Sequence, residues 1–159
     1  SEATTKKVAV VTTTKKKVKV LSASEEKVAE KELFRLVNNY RAKNKVKRLK
    51  GSVKLNKAAK TRSVEIQTKF DHVRPDGRAV RTTATDAGLK NFWDVGENIA
   101  SNTGYKFKNG KEAAKKLFDQ WLKSPGHRQN MLYSDYDYMA FGVTTTEHSV
   151  YGATMFLVK

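Results

Sequence analysis

Ser124-Pro125-Gly126-His127-Arg128-Gln129-Asn130-Met131-Leu132 is the stretch around which the rest of the chain can be read. Ser followed by Pro signals a helix start. Ser can offer its side-chain oxygen to a free backbone N–H, and Pro at the first helical position loses nothing by lacking one. The pattern places His127 in the first turn of the new helix, where the backbone amides carry partial positive charge. A cation is disfavoured there, so the imidazole is expected in its neutral form, able to bind a metal or accept a proton. Taken alone, the residue has a second reading, a hydrogen bond to a neighbouring loop.

Upstream, Ala113, Leu117 and Trp121 recur at helical spacing, with Ala114 and Phe118 alongside. A helix is expected over about 111–122, ending before Pro125. Residues 101–110 are polar and contain Gly, and read as a loop. Before them runs Phe92-Trp93-Asp94-Val95-Gly96-Glu97-Asn98-Ile99-Ala100, in which Glu97 sits between Val95 and Ile99. A carboxylate there must be exposed or partnered, because an unpaired buried charge is very costly. Further back, Pro75-Asp76-Gly77 is a turn: Pro presets the first corner and Gly accepts a positive φ. His72 then falls at a helix-to-turn junction, where a side chain can point into a cleft. A short helix to Ala87 is expected after it, closed by Gly88.

Two longer helices precede this turn. Ser24 reads as a cap ahead of Glu25 and Glu26, and Ala29, Leu33, Leu36, Val37 and Tyr40 form one apolar face through Arg41. Ser52 reads as the next cap, followed by Leu55, Ala58, Ala59, Arg62, Ile66 and Phe70 at a helical period. Downstream of the opening stretch the period changes. From Ala140 to Val158, two runs rich in Val, Thr, Tyr and Phe flank Thr146-Glu147-His148-Ser149, a hairpin with His148 exposed at its tip. Helices followed by strands argue an α+β fold with a small antiparallel sheet covered by helices.

The chain has 159 residues, enough for one domain with a sizeable core. No stretch is long and apolar enough to span a bilayer as a helix, so the chain is expected to be soluble. It does not begin with Met and shows no charged-then-apolar leader, which fits a mature or trimmed form. The absence of Cys excludes disulfides and a thiolate zinc site. Lys and Arg number 32 against 16 acids, a net charge of +16, which admits nucleic acid, an anionic membrane or an anionic cell-wall polymer as partner. Residues 1–24 hold six of the Lys and one acid, with Val-rich and Thr-rich patches. They read as a basic flexible tail or linker, either a solvated leader or an electrostatic anchor, ahead of a domain over 25–159.

Three segments taken together resemble a known family: FDHVRPDGR at 70–78, GENIA at 96–100 and W-x-x-SPGHRQNML at 121–132. In this order and spacing they are similar to the CAP superfamily, the SCP/TAPS domains of cysteine-rich secretory proteins, antigen 5 and plant pathogenesis-related proteins of group 1. The similarity is closest to the bacterial, often secreted and Cys-poor branch, and it runs from about residue 25 to 159. It implies a three-layer α-β-α sandwich with an open central cleft. It also implies a cleft holding two His and two acids, which in some members bind a divalent metal such as zinc. By motif these are His72, His127 and Glu97, with Asp119 as the fourth position. Thr154 falls where many bacterial members have Gln, which would alter the polarity of the cleft.

The chemistry of such a set suits zinc: two neutral imidazoles and a carboxylate leave one position for water. It equally suits a hydrogen-bonded cluster that fixes the shape of the cleft. No HExxH pair, GxSxG elbow or Cys nucleophile is present, so a protease has little support. The preferred expectation is an exported, cell-surface binding module that leans away from catalysis, its cleft taking a metal, a lipid or a peptide. A metal-dependent hydrolase using His72, Glu97 and His127, with a metal-bound water as nucleophile, is the alternative. A nucleic-acid-binding protein driven by net charge is the second, although no specific nucleic-acid motif appears.

Overall fold

The computed structural model describes residues 6, 8–11 and 18–159. Half of the expected flexible tail, residues 1–5, 7 and 12–17, therefore lies outside the described residues. Helix α1 (Ala23–Lys43) is capped by Ser22, whose side chain accepts from the Glu25 N–H. Ser24 was the expected cap. The chain is already tied down before it, since the Val20 N–H donates to the Thr146 carbonyl at 2.8 Å and Leu21 is buried. Helix α2 (Val53–Thr68) begins at Ser52 as expected, with the Leu55 N–H bonded to its Oγ. It stops before Phe70, which is more than half exposed and so leaves the expected apolar stripe. A short α3 (Arg81–Asp86) follows, and Gly88 leaves it at φ +94°.

Strand β1 (Asp94–Thr103) comes next, then α4 (Gly110–Leu122), α5 (Pro125–Leu132), β2 (Tyr138–Thr145) and β3 (Ser149–Val158). The hairpin β2–β3 is where the sequence placed it. The third strand, β1, was not expected. It pairs antiparallel with β3 from Asp94↔Val158 to Thr103↔Ser149, so β3 is central and β1 and β2 are the edges.

Alternate residues of the strands face opposite helical layers. Ala100, Met139, Phe141, Val143 and Phe156 pack with Leu33, Val37, Leu117, Trp121 and Met131 of α1, α4 and α5. Ala140, Met155 and Leu157 pack with Leu55, Ala58 and Ala59 of α2 and Ala84 of α3. The result is an α-β-α sandwich built on a small antiparallel sheet. Trp121 ties layers together, its buried indole N–H donating to the Ile99 carbonyl at 3.1 Å. At the outer edge of β2, two carboxylates of α1 take the strand's free donors. Glu30 accepts from the Val143 N–H at 2.9 Å and Glu26 from the Thr145 N–H at 2.7 Å.

Candidate functional site

The opposite edge of the sheet is open. There β1 borders a polar cleft of about 560 Å³ lined by His72, Asp94, Glu97, Asn98, His127 and Tyr133 among others. His72 arrives from the α2 side of the sheet, on the segment after Thr68. Asp71 shapes that segment by accepting the Val73 N–H at its Oδ1, 3.1 Å, which holds its carboxyl below the ordinary range. The following turn is pinned by the largely buried Arg74, which binds Glu65 at 2.7 Å and Asp86 at 2.8 Å, while Gly77 takes φ +87°.

His127 arrives from the other layer. Pro125 opens α5 as expected and puts His127 in its first turn. Ser124, however, makes no side-chain capping bond and contributes only its extended backbone ahead of Pro125. The imidazole of His127 is held below its ordinary pKa, as expected, but the causes are burial and the nearby His72. Its Nδ1 is buried without a partner, whereas no such constraint applies to Nε2. Both histidines and Glu97 thus share one cleft, as the sequence led us to expect.

Glu97 is partnered more heavily than expected. Its buried carboxylate receives Arg62 through two donors, Nε to Oε2 at 2.6 Å and Nη2 to Oε1 at 3.1 Å. Arg62 is fully buried and also donates to the Asp71 carbonyl at 2.5 Å, which ties the ion pair to the His72 segment. The Nδ1 of His72 lies 2.9 Å from Oε1 of Glu97. Against a carboxylate acceptor Nδ1 is the donor, and the ring in that neutral tautomer would present a bare Nε2 lone pair.

The fourth expected residue is not brought in. Asp119 is on α4, half-exposed and 3.1 Å from Lys115, and does not line the cleft. The cleft's second acid is Asp94, at the start of β1. Thr154 is buried in the sheet opposite Asn98 and does not line the cleft either. Among the described residues, no group of three or more His, Cys, Asp or Glu is placed to hold a metal ion.

Sequence reasoning missed the network behind the histidines. Asn130 of α5 donates to the Asn98 Oδ1 at 3.0 Å and to the Glu97 carbonyl at 3.2 Å. Asn98 in turn donates to the His127 carbonyl at 3.1 Å, and the Tyr136 hydroxyl donates to Asn130 Oδ1. Burial pushes that phenol up to about 12, so it remains a donor at neutral pH. Gly96 makes the room, because a Cβ there would stand 1.9 Å from the Tyr136 oxygen. A signal for Arg62 was available. It and Glu97 are opposite charges, each at an apolar position of its own element.

Comparison with known proteins agrees with this architecture. The uncharacterized protein YkwD of Bacillus subtilis is 29% identical over 124 residues, which cover 77% of this chain and 43% of that protein. An extracellular protein containing a SCP domain from Bacillus anthracis superposes with a TM-score of 0.71 at 21% identity, covering 87% of this chain and 44% of that one. An outer surface protein from Borrelia burgdorferi gives 0.70 at 18% identity, covering 91% and 99%. The chain thus spans less than half the length of the two Bacillus proteins. The model of the cysteine-rich secretory protein family matches residues 34–158. That span contains the edge strand, both histidines and the ion pair behind them, and the chain belongs to the CAP family.

Proposed function

We propose that this chain is a cell-surface binding module whose ligand site is the cleft along β1, and that its excess positive charge keeps it near anionic wall polymer or membrane. One observation carries the reading: two imidazoles from opposite layers open into one polar cleft, backed by a carboxylate already engaged. Both oxygens of Glu97 are already engaged by Arg62 and His72, which suits an orienting role better than that of a general base. That favours binding over hydrolysis. The similarity in fold to an extracellular protein of Bacillus anthracis and an outer surface protein of Borrelia burgdorferi supports a location outside the cell.

For a divalent metal, the fit is to the two histidines alone. A carboxylate behind one ring nitrogen orients the other for coordination, which is the place Glu97 takes behind His72. His127 would supply the second imidazole. Bound there, an ion would offer a Lewis-acidic centre to an oxygen of a lipid or peptide ligand. Glu97 would orient His72 without being a ligand, and Asp119 would have no part.

Calorimetric titration of metal-free protein with zinc tests this site. Heat at micromolar protein is expected from the wild type and not from His72→Ala or His127→Ala. A wild type that gives no heat removes the metal from the proposal. Turnover of casein or peptidoglycan that disappears in both His variants would replace the binding reading with the hydrolase.

A further inference from the structure

The positive charge of this domain is concentrated in one segment. Residues 33–64 contain eleven Lys and Arg and no Asp or Glu, whereas the rest of 25–159 holds fifteen of each sign. Arg41 and Arg62 are buried, and Arg35, Lys47 and Lys60 are paired with acids from outside the segment. Lys43, Lys45, Arg48, Lys50, Lys54 and Lys57 remain exposed over the end of α1, the loop after it and the first two turns of α2.

The loop is held rigid from beneath. The Asn38 side chain makes two bonds to Leu49, accepting its N–H at 2.8 Å and donating to its carbonyl at 3.0 Å. The buried Arg41 donates to the Lys47 carbonyl at 2.8 Å, and Lys50 bridges to the start of β2. Two of the cations also sit where local structure disfavours them. Lys45 takes a left-handed φ of +60°, a conformation better suited to Gly or Asn. Lys54 is in the first turn of α2, against the positive end of the helix dipole. Of the two, Lys54 has a partner within the chain, its Nζ donating to the Gly88 carbonyl at 3.2 Å.

The neighbouring surface is a shallow basin of about 510 Å³ lined by Lys47, Arg48, Lys50, Asp137, Tyr138 and Lys159. Exposed aromatics occur elsewhere, at Phe70, Trp93, Tyr105 and Tyr133, and none lies in 33–64. Bases would stack on such rings, and a bilayer would take a broad apolar face, whereas Val53 is the one large apolar side chain exposed between Lys43 and Lys54. A cluster of cations on a pinned loop, with only the half-buried Tyr138 ring beside it, suits a chain of phosphates that carries no bases.

We propose that this basic ridge, Lys43 to Lys54, is a docking surface for a phosphodiester polymer of the polyol-phosphate kind, distinct from the cleft along β1. The proposal rests on the reading of the chain as a cell-surface protein and gives that reading a partner and a place.

Binding of the full chain to poly(glycerol phosphate) across a salt series tests it. Lys45→Glu with Lys50→Glu is compared with Lys106→Glu and Lys108→Glu, which change the net charge equally at exposed positions away from the ridge. The ridge variant is expected to lose about tenfold or more in affinity, with a log–log salt slope shallower by about 1.5, and the control to lose less than about threefold. Should the ridge variant fail a thermal-melting check, Lys45→Gln with Lys50→Gln carries the same test with a smaller loss. Equal losses in ridge and control variants would overturn the ridge. So would single-stranded DNA or phosphatidylglycerol vesicles binding as tightly as the polymer at about 150 mM salt. Isolated cell walls that retain the ridge variant as well as the wild type overturn the ridge but leave the surface reading standing. Walls that retain neither overturn both.

Discussion

At the residue scale, the site depends on a few side chains placed against their usual preference. Arg62 and Glu97 bury opposite charges in the low-dielectric interior, where each is tolerable only with the other present. Arg62→Met is expected to leave an uncompensated carboxylate and to destabilise the fold by about 3–5 kcal/mol, measured by urea unfolding. Glu97→Gln in the same background should recover part of that loss. Gly96→Ala is expected to cost about 1–3 kcal/mol, because its Cβ would collide with the Tyr136 oxygen 1.9 Å away. Tyr136→Phe should relieve the collision, and a double-mutant cycle reads the coupling. The pH dependence has a definite sign. Burial and His72 hold the folded pKa of His127 below 6.5, so the unfolded chain binds that proton more readily. The stability contributed by neutral His127 is therefore complete above pH 6.5 and is lost as the pH falls below it. His127→Gln is expected to flatten the fall in denaturation midpoint below that pH.

At the element scale, the legible parts were those whose pattern follows from one buried face. The stripes of α1, α2 and α4 repeat at 3.6 residues because only one side of each meets the sheet. Strand β1 was not legible, and its burial explains why. From Glu97 to Ala100 every residue is buried, since helical layers cover both faces, so no polar–apolar alternation appears. Gly96, Asn98 and Asn102 also lower its strand propensity. The caps separate by geometry. Ser52 and Asn109 accept from the backbone of their helices, whereas Ser124 does not. Ser52→Ala and Asn109→Ala are each expected to cost about 1 kcal/mol, and Ser124→Ala much less, in parallel thermal melts. The Ser-Pro signal thus located α5 through one of its two expected parts: Pro125 opens the helix, and Ser124 makes no capping bond.

At the scale of the whole molecule, the sandwich brings together what the chain keeps apart. His72 and His127 are 55 positions apart and belong to opposite layers, and only the sheet edge between them makes one cleft. Their motifs were readable because each sits in a local turn or helix start. The Asn98–Asn130–Tyr136 network was not, because nothing local marks an Asn as a hub between elements. Nor could spacing reveal that Asp94, and not Asp119, would face the cleft. The other edge of the sheet has a consequence for crowding. A protein gathered densely on a polymer meets its own copies often, and an unblocked outer strand would invite them to pair and grow into fibrils. Glu26 and Glu30 already occupy the Thr145 and Val143 donors there, so an incoming strand would meet carboxylates at two positions of the ladder. Glu26→Ala with Glu30→Ala is expected to raise light scattering and thioflavin fluorescence at high concentration, a propensity that the native edge holds in check.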